Sequence, residues 1–320
     1  MRSLLKLGAA ALLFALCACG QQQQSDRLVV GFSQIGSESG WRAAETRVTR
    51  EEAERRGIDL RVSDAQQRQE NQIRAVRTFI AQGVDAILLA PVVSTGWDAV
   101  LAEAKRANIP VILLDRRVET ADESLYLAAV ASDAVEEGRV AARWLAETVG
   151  ERQCNIIELQ GTVGASVAND RKRGFEEIVA QHPNLRIVRS QSGDFTRSRA
   201  KEVMESLIRA ENGTNICAVY AHNDDMMIGA IQAMTEAGLR PGSDILTVSI
   251  DAVPDIFRAM ADGQANATVE LTPNMAGPAF DLLTAYLENG TAPPKWVRTP
   301  SPLYLQDTAE AEYERRRDRY

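Results

Sequence analysis

The chain has 320 residues, of which 45% are hydrophobic and 25% are charged, and its formal net charge is −8. This length is sufficient for two core-forming units of ordinary size. The acidic balance argues against nucleic acid as a partner, because a nucleic-acid-binding surface needs an excess of Lys and Arg.

The chain begins with a pattern typical of an export signal. Arg2 and Lys6 precede the apolar run LGAAALLFALCAC, which is shorter than the roughly 18 residues that a membrane helix needs. The segment LCACG that ends this run resembles a bacterial lipobox with Cys19 as the acylated residue; a plain signal peptide that contains two cysteines is the alternative. We predict a signal peptide over residues 1–19, a polar tether over 20–27 and a lipid anchor on Cys19.

Strand-like and helix-like segments alternate along the rest of the chain. The predicted order in the first half is LVVGFSQ, helix 41–56, LRVSDA, helix 69–82, AILLAP, helix 96–107, VILLDR, strand 125–130 and helix 133–148. The order in the second half is NIIELQG, helix 165–182, RIVRSQ, helix 197–211, ICAVYAH, helix 223–237 and LTVSID. Strands that are apolar on both faces and alternate with helices are typical of parallel sheets covered by helices. We therefore predict an α/β protein with two doubly wound parallel-sheet lobes.

Two cysteines remain outside the signal segment, Cys154 and Cys217. In an exported protein such a pair is more often a disulfide than a redox or metal site. Cys154 lies at the head of the second lobe's first strand and Cys217 in its third, and these strands are neighbours in a sheet of order 2-1-3. We predict a Cys154–Cys217 disulfide.

Polar and aromatic side chains follow the predicted strands, at the sheet edge where open α/β proteins bind ligands. The candidates are Glu38, Trp41, Arg42, Asp115 and Arg116 in the first lobe, and Arg171, Phe195, Asn223 and Asp251 in the second. Three carboxylates and three guanidinium groups make the set neutral, whereas an anionic ligand needs a positive excess. A neutral polyol fits better, because carboxylates accept from its hydroxyls, guanidinium groups donate to its oxygens, and flat aromatic rings cover its C–H faces.

Each candidate also has a purely structural alternative. Trp41 and Phe195 could be core residues, Arg42 a solvated charge, Asp115 with Arg116 a local ion pair, Asn223 only a helix N-cap, and Asp251 only a turn residue. An Asn can cap a helix and still expose its amide, so those two roles can coexist. Trp97 is assigned to the core or the cleft rim.

Motifs typical of enzymes are absent from the sequence. No phosphate loop, G-x-G-x-x-G or G-x-S-x-G pattern occurs, and the two histidines, His182 and His222, have no partner at metal-ligand spacing. We expect no catalytic residues, no metal site and no cofactor.

Several long runs resemble one protein family. The runs are VGFSQIGSESGWRAAET, QENQIRAVR, AQGVDAI, ELQGTVGASVANDRKRGF, RSQSGDFTRS, VYAHNDDMMIGAIQA and ELTPNMAGPAFD, and the resemblance that rests on them covers about residues 28–308. They resemble the periplasmic sugar-binding proteins of the ribose/galactose-binding class, which are the receptor components of ABC importers, and within that class the galactofuranose binders.

The resemblance implies a periplasmic binding protein fold of type I. Its two lobes, joined by a three-crossover hinge near Val130, Leu271 and Thr299, would comprise residues 28–130 with 272–299 and residues 131–271 with 300–320. The nine candidates would bind a monosaccharide, galactofuranose above others, in the cleft of a periplasmic monomer that delivers it to a membrane permease. The alternative is a sensory module that presents a pentose or hexopyranose to a chemoreceptor or sensor kinase.

The sequence departs from the family pattern next to one candidate. Ala252 stands where relatives commonly have Gly after the binding Asp. The backbone must therefore avoid a positive φ at this position or accept strain, and a shift of Asp251 would alter affinity or ligand choice.

Overall fold

The structure is a computed structural model that describes residues 27–211 and 215–318. The predicted signal peptide, Cys19 and most of the tether lie outside the described residues. The strands are β1 (Val29–Gln34), β2 (Asp59–Asp64), β3 (Ala86–Leu89), β4 (Val111–Leu114), β5 (Ala128–Ser132), β6 (Cys154–Gln160), β7 (Leu185–Ser192), β8 (Ala218–Ala221), β9 (Leu246–Asp251), β10 (Ala267–Glu270), β11 (Trp296–Thr299) and β12 (Leu303–Leu305). The helices are α1 (Gly40–Arg55), α2 (Gln69–Ala81), α3 (Asp98–Arg106), α4 (Ala134–Val149), α5 (Ser166–Val179), α6 (Arg197–Ala210), α7 (Asp224–Glu236), α8 (Pro254–Ala261), α9 (Ala276–Asn289) and α10 (Ala309–Arg316).

The strands form two six-stranded sheets, one in each lobe. The spatial orders are β11-β5-β4-β3-β1-β2 and β12-β10-β9-β8-β6-β7. All pairs are parallel except β10 with β12. The predicted fold class is therefore confirmed, including the alternation of apolar strands and covering helices.

The chain passes between the two sheets three times, after β5, after β10 and between β11 and β12. Within the segment that returns to the first lobe, α9 lies against α1, and Arg56 Nη1 donates to Asp281 Oδ1 at 2.6 Å. Strand β5 runs to Ser132, and its last two residues, Ala131 and Ser132, pair with β11. They therefore belong to the first sheet, whereas the boundary expected from the sequence placed them in the second lobe. The boundaries of the remaining segments stay predictions.

Helices α4 and α5 pack closely because glycine faces backbone at their crossing. A Cβ atom on Gly138 would lie 2.2 Å from the carbonyl oxygen of Arg171, and one on Gly174 would lie 1.9 Å from that of Val135. Any larger residue would force the helices apart. This close approach brings the side chains of neighbouring helix residues into direct contact beside the cleft.

The predicted disulfide is confirmed. Cys154 and Cys217 are joined at the amino-terminal ends of β6 and β8, which are neighbours in the second sheet. In the part of the chain that the structure describes, no helix is long and apolar enough to cross a membrane.

Candidate functional site

All nine predicted residues line one cavity between the two lobes. Ser39, Val167 and Leu271 complete the lining. The first sheet and the second both place the carboxyl ends of their strands here, as doubly wound topology requires. The sequence pattern therefore located the cavity and its charged wall.

Arg42 is the centre of a buried ion cluster in the first lobe. Ser39 caps α1 by accepting the Arg42 N–H at 3.1 Å, and the first helical turn then directs the guanidinium inward. Arg42 Nη1 donates to Glu45 Oε2 at 2.5 Å and Nη2 to Asp115 Oδ2 at 2.6 Å, while Glu38 Oε1 lies 3.6 Å from Nε. Since Arg42 is only 3% exposed, the alternative of a solvated helix charge is wrong.

The two arginines of this lobe have opposite pKa shifts. Burial acts to lower the pKa of Arg42, but the carboxylates of Glu45, Asp115 and Glu38 raise it above its ordinary value. Burial lowers the pKa of Arg116 to about 10, and the positive charge of Arg42 adds to this effect. Both guanidinium groups therefore remain protonated donors at neutral pH.

Arg116 contacts the opposite lobe. Its guanidinium carbon lies 5.0 Å from the ring centroid of Phe195 in the second lobe. Its Nη1 donates to the Val92 carbonyl of its own lobe at 2.8 Å. Its Nε is 3.7 Å from Asp115 Oδ2, so the local ion pair is weaker than the Asp115 contact with Arg42. The Phe195 ring thus covers one face of a donor instead of packing only in the core.

Trp41 combines its two proposed roles. It is 2% exposed, and its indole Nε1 donates to the Leu271 carbonyl in the second crossover at 2.6 Å. The ring also lines the cavity, with the Arg42 guanidinium carbon 4.8 Å from its centroid. One edge of the indole is therefore fixed to the hinge while the side chain contributes to the cavity wall.

Arg171 is held from behind in the second lobe. Its Nε donates to Glu137 Oε2 at 2.8 Å and its Nη1 to the His222 carbonyl at 2.6 Å. Its Nη2 lies 3.9 Å from Oδ1 of Asp251, which also lines the cavity. The close crossing of α4 and α5 is what brings Glu137 within reach of this guanidinium.

Asn223 caps a helix and also lines the cavity. Its Oδ1 accepts the Met226 N–H at 3.0 Å and so caps α7, while its Nδ2 donates to the Phe195 carbonyl at 3.3 Å. The next residue, Asp224, accepts from Ser249 Oγ and the Val253 N–H and thereby supports the turn after β9.

Three cavity residues, and Ala252 beside one of them, have positive φ angles. The φ angles are +63° at Asp115, +60° at Phe195, +127° at Asp251 and +61° at Ala252. Burial raises the pKa of Asp251 well above its ordinary value, although Arg171 acts in the opposite direction. Strained backbone of this kind concentrates at ligand sites, where surrounding bonds hold it in place.

Ala252 accepts the strain that its departure from Gly implied. A left-handed Ala costs roughly 1–2 kcal/mol, but its methyl group is completely buried, which offsets roughly 0.8 kcal/mol. We expect Ala252→Gly to change the free energy of unfolding by less than about 1 kcal/mol, and Ala252→Val to lower it by more than about 2 kcal/mol. Chemical denaturation of the three proteins measures both values; an Ala252→Val protein as stable as the parent would contradict the strain.

Five residues that line the cavity carry buried polar atoms without a hydrogen-bonding partner among the described residues. They are Glu38 Oε2, Arg42 Nε, Asp115 Oδ1, Arg116 Nε and Arg171 Nη2. An unsatisfied buried donor or acceptor costs about 1–3 kcal/mol, so such groups are rare unless a ligand or water uses them. The set contains both donors and acceptors, which suits a ligand with several hydroxyl groups.

Sequence reasoning missed two carboxylates behind the cavity, Glu45 and Glu137, both completely buried. Glu45 is three residues after Arg42 and so shares its helix face. Glu137 interrupts the apolar stripe that includes Ala134, Ala141 and Leu145, and a charge on a buried face signals a partner. These two residues add negative charge to the set that appeared neutral in the sequence.

The comparison with protein families matches residues 30–291 to the family described as periplasmic binding protein domain. The chain belongs to this family. The galactofuranose-binding protein YtfQ of Escherichia coli is 64% identical over 292 residues, which are 91% of this chain and 92% of that protein.

Solved structures extend the family likeness. The binding component of an arabinose ABC transporter from a Shewanella species, bound to α- and β-L-arabinofuranose, is 57% identical with a TM-score of 0.89, and the match covers 91% of this chain and 96% of that one. A Mycobacterium smegmatis protein in complex with β-D-fucofuranose is 45% identical with a TM-score of 0.87, and the match covers 91% and 95%. Both were solved with furanose rings bound.

Proposed function

We propose that the protein is an extracytoplasmic sugar-binding component of an ABC importer that captures a monosaccharide in furanose form, galactofuranose in particular. The observation that carries the proposal is a set of buried polar atoms without a hydrogen-bonding partner in the described part of the chain, on five charged side chains that line one cavity between the lobes. In the bound state Glu38, Asp115 and Asp251 accept from sugar hydroxyls, while Arg42, Arg116 and Arg171 donate to ring and hydroxyl oxygens.

The aromatic residues complete this proposed arrangement. Trp41 and Phe195 supply flat apolar area for the C–H faces of the sugar, and Asn223 offers its remaining amide proton. Glu45 and Glu137 do not line the cavity, and each fixes one guanidinium so that its free N–H is aimed before the sugar arrives. Preorganised donors lose less entropy on binding than mobile ones.

A furanose ligand is favoured by the relatives. The YtfQ protein is named for galactofuranose, and the two structures were solved with arabinofuranose and fucofuranose. We assign the protein to the periplasm and propose that it delivers the sugar to a membrane permease, after closure of the two lobes around the sugar. A lipid on Cys19 remains a proposal, since Cys19 lies outside the described residues. A monomeric state is likewise a proposal.

Titration calorimetry against D-galactose, L-arabinose, D-ribose, D-xylose and D-glucose tests the sugar class. We expect galactose and arabinose to bind most tightly. Carbon-13 NMR of the bound sugar, labelled at C1, then identifies the ring form from its anomeric shift. A bound pyranose would overturn the furanose assignment, and a panel without any binding would overturn the sugar-binding proposal.

A further inference from the structure

One carboxylate outside the cavity joins the two lobes directly. Asp225 lies in the first turn of α7 in the second lobe, and its Oδ2 accepts the backbone N–H of Gly40 at 2.8 Å. Gly40 is the first residue of α1 in the first lobe, 185 positions away in sequence. The contact leaves Asp225 only 2% exposed.

The second lobe holds this carboxylate in position. Arg197 Nε donates to Asp225 Oδ1, and Arg197 Nη2 donates to Asp255 Oδ2 at 2.6 Å. All three residues belong to the second lobe, so the carboxylate is oriented independently of the first lobe. The Gly40 N–H is one of the donors that a helix start leaves unpaired, and the positive end of the α1 dipole favours a negative partner.

Neither partner of this contact lines the cavity, yet each is close to residues that do. Gly40 directly precedes Trp41, and Asp225 is two positions after Asn223. A second contact without cavity residues closes another edge of the cleft, where Arg117 Nη2 donates to Asp170 Oδ2 at 2.8 Å. The lobes are therefore held together by groups that no ligand needs to touch.

We propose that Asp225 is an affinity-setting residue that acts through lobe closure and not through contact with the sugar. The apparent affinity of a binding site depends on the fraction of molecules in the competent conformation. Loss of the Asp225–Gly40 hydrogen bond lowers that fraction before any ligand arrives. The dissociation constants of all sugars must then rise by one common factor, with their ratios unchanged. This inference rests on the proposed sugar-binding function.

Gly40→Pro tests the contact with little change elsewhere. Ser39 has φ −136° and ψ 158°, which suits a residue before proline, and proline is favoured at the first position of a helix. The substitution removes the N–H and places a ring carbon where the hydrogen was, so the closed contact is lost. Gly40→Ala is the matched control, because it keeps the N–H and its Cβ would lie at an ordinary 3.6 Å from Asp225 Oδ2.

Asp225→Ala removes the same contact from the other lobe and serves as the second variant. Its control is Asp255→Ala, which deletes the other carboxylate on Arg197 but no contact between lobes. Thermal unfolding of each protein establishes that it folds. Removal of a charged hydrogen bond of this kind is expected to lower the affinity about tenfold or more.

The experiment is titration of D-galactose and L-arabinose into the four variants and the parent. We expect Gly40→Pro and Asp225→Ala to weaken both sugars by the same factor, with both controls near the parent. Unchanged affinities would overturn the proposal, and so would different factors for the two sugars, which would place Asp225 at the sugar itself.

Small-angle X-ray scattering separates this proposal from the proposed function. If the parent binds no sugar, the sugar-binding function fails. The ligand-free radius of gyration then shows whether the Asp225–Gly40 contact stabilises the closed form. A larger radius for Gly40→Pro than for Gly40→Ala supports a contact that stabilises closure, and equal radii overturn it.

Discussion

Replacing Arg42 by alanine is expected to weaken monosaccharide binding about 10³-fold. Arg42 is buried and forms ion pairs with Glu45, Asp115 and Glu38, and its Nε has no hydrogen-bonding partner among the described residues. Its removal deletes a donor to the sugar and leaves three carboxylates close together. These carboxyl groups would take up protons or move apart, so the acceptors are disordered as well.

Two further variants make this result interpretable. Arg42→Lys keeps a positive charge but lacks the planar fork that reaches Glu45 and Asp115 together, so we expect a folded protein with affinity between those of the parent and Arg42→Ala. Arg55→Ala removes an exposed arginine from the same helix, and we expect it to bind sugar like the parent. Calorimetry with the tightest sugar of the panel measures all three; parent-like affinity in Arg42→Ala would refute the site.

Most of the fold could be predicted from local sequence patterns. The apolar runs of β1, β3 and β4 and the helices between them follow from periodicity and from residues that start or end helices. Strand β5 shows where this fails, because it begins at Ala128 and not at Leu125. Asp122 accepts the Ser124 N–H at 2.9 Å, and residues 123–125 form a 3-10 turn. The pattern of apolar residues does not predict such a local side-chain hydrogen bond.

The cavity wall could be predicted because parallel topology places strand ends together, whatever the details of packing. The residues that support this wall from behind could not be predicted. Glu137 reaches Arg171 only because Gly138 and Gly174 let α4 and α5 approach closely, and that crossing depends on tertiary packing. The Asp225 contact with Gly40 depends on the relative position of the two lobes, which no local pattern specifies.

Removal of the disulfide by Cys154→Ala with Cys217→Ala is expected to lower the free energy of unfolding by about 4 kcal/mol in the chain-entropy model. The bridge closes a loop with a sequence separation of 63 residues, which includes β7, α6 and the three residues the structure does not describe. Without it, the unfolded chain gains the freedom of this loop. Denaturant titration of the double variant and of the parent measures the difference.

Sugar affinity should not follow this loss of stability. Cys154 lies at the amino end of β6 and the cavity at its carboxyl end, about 20 Å away at the usual rise of roughly 3.3 Å per residue. We therefore expect the double variant to bind sugar like the parent below its own unfolding temperature. The reduced parent should lose stability to a similar extent, which distinguishes the cross-link from side-chain packing at the buried Cys154. A variant that unfolds with the parent's free energy would contradict stabilisation through the unfolded chain, and a variant that binds sugar more weakly while folded would show that the bridge also shapes the native cleft.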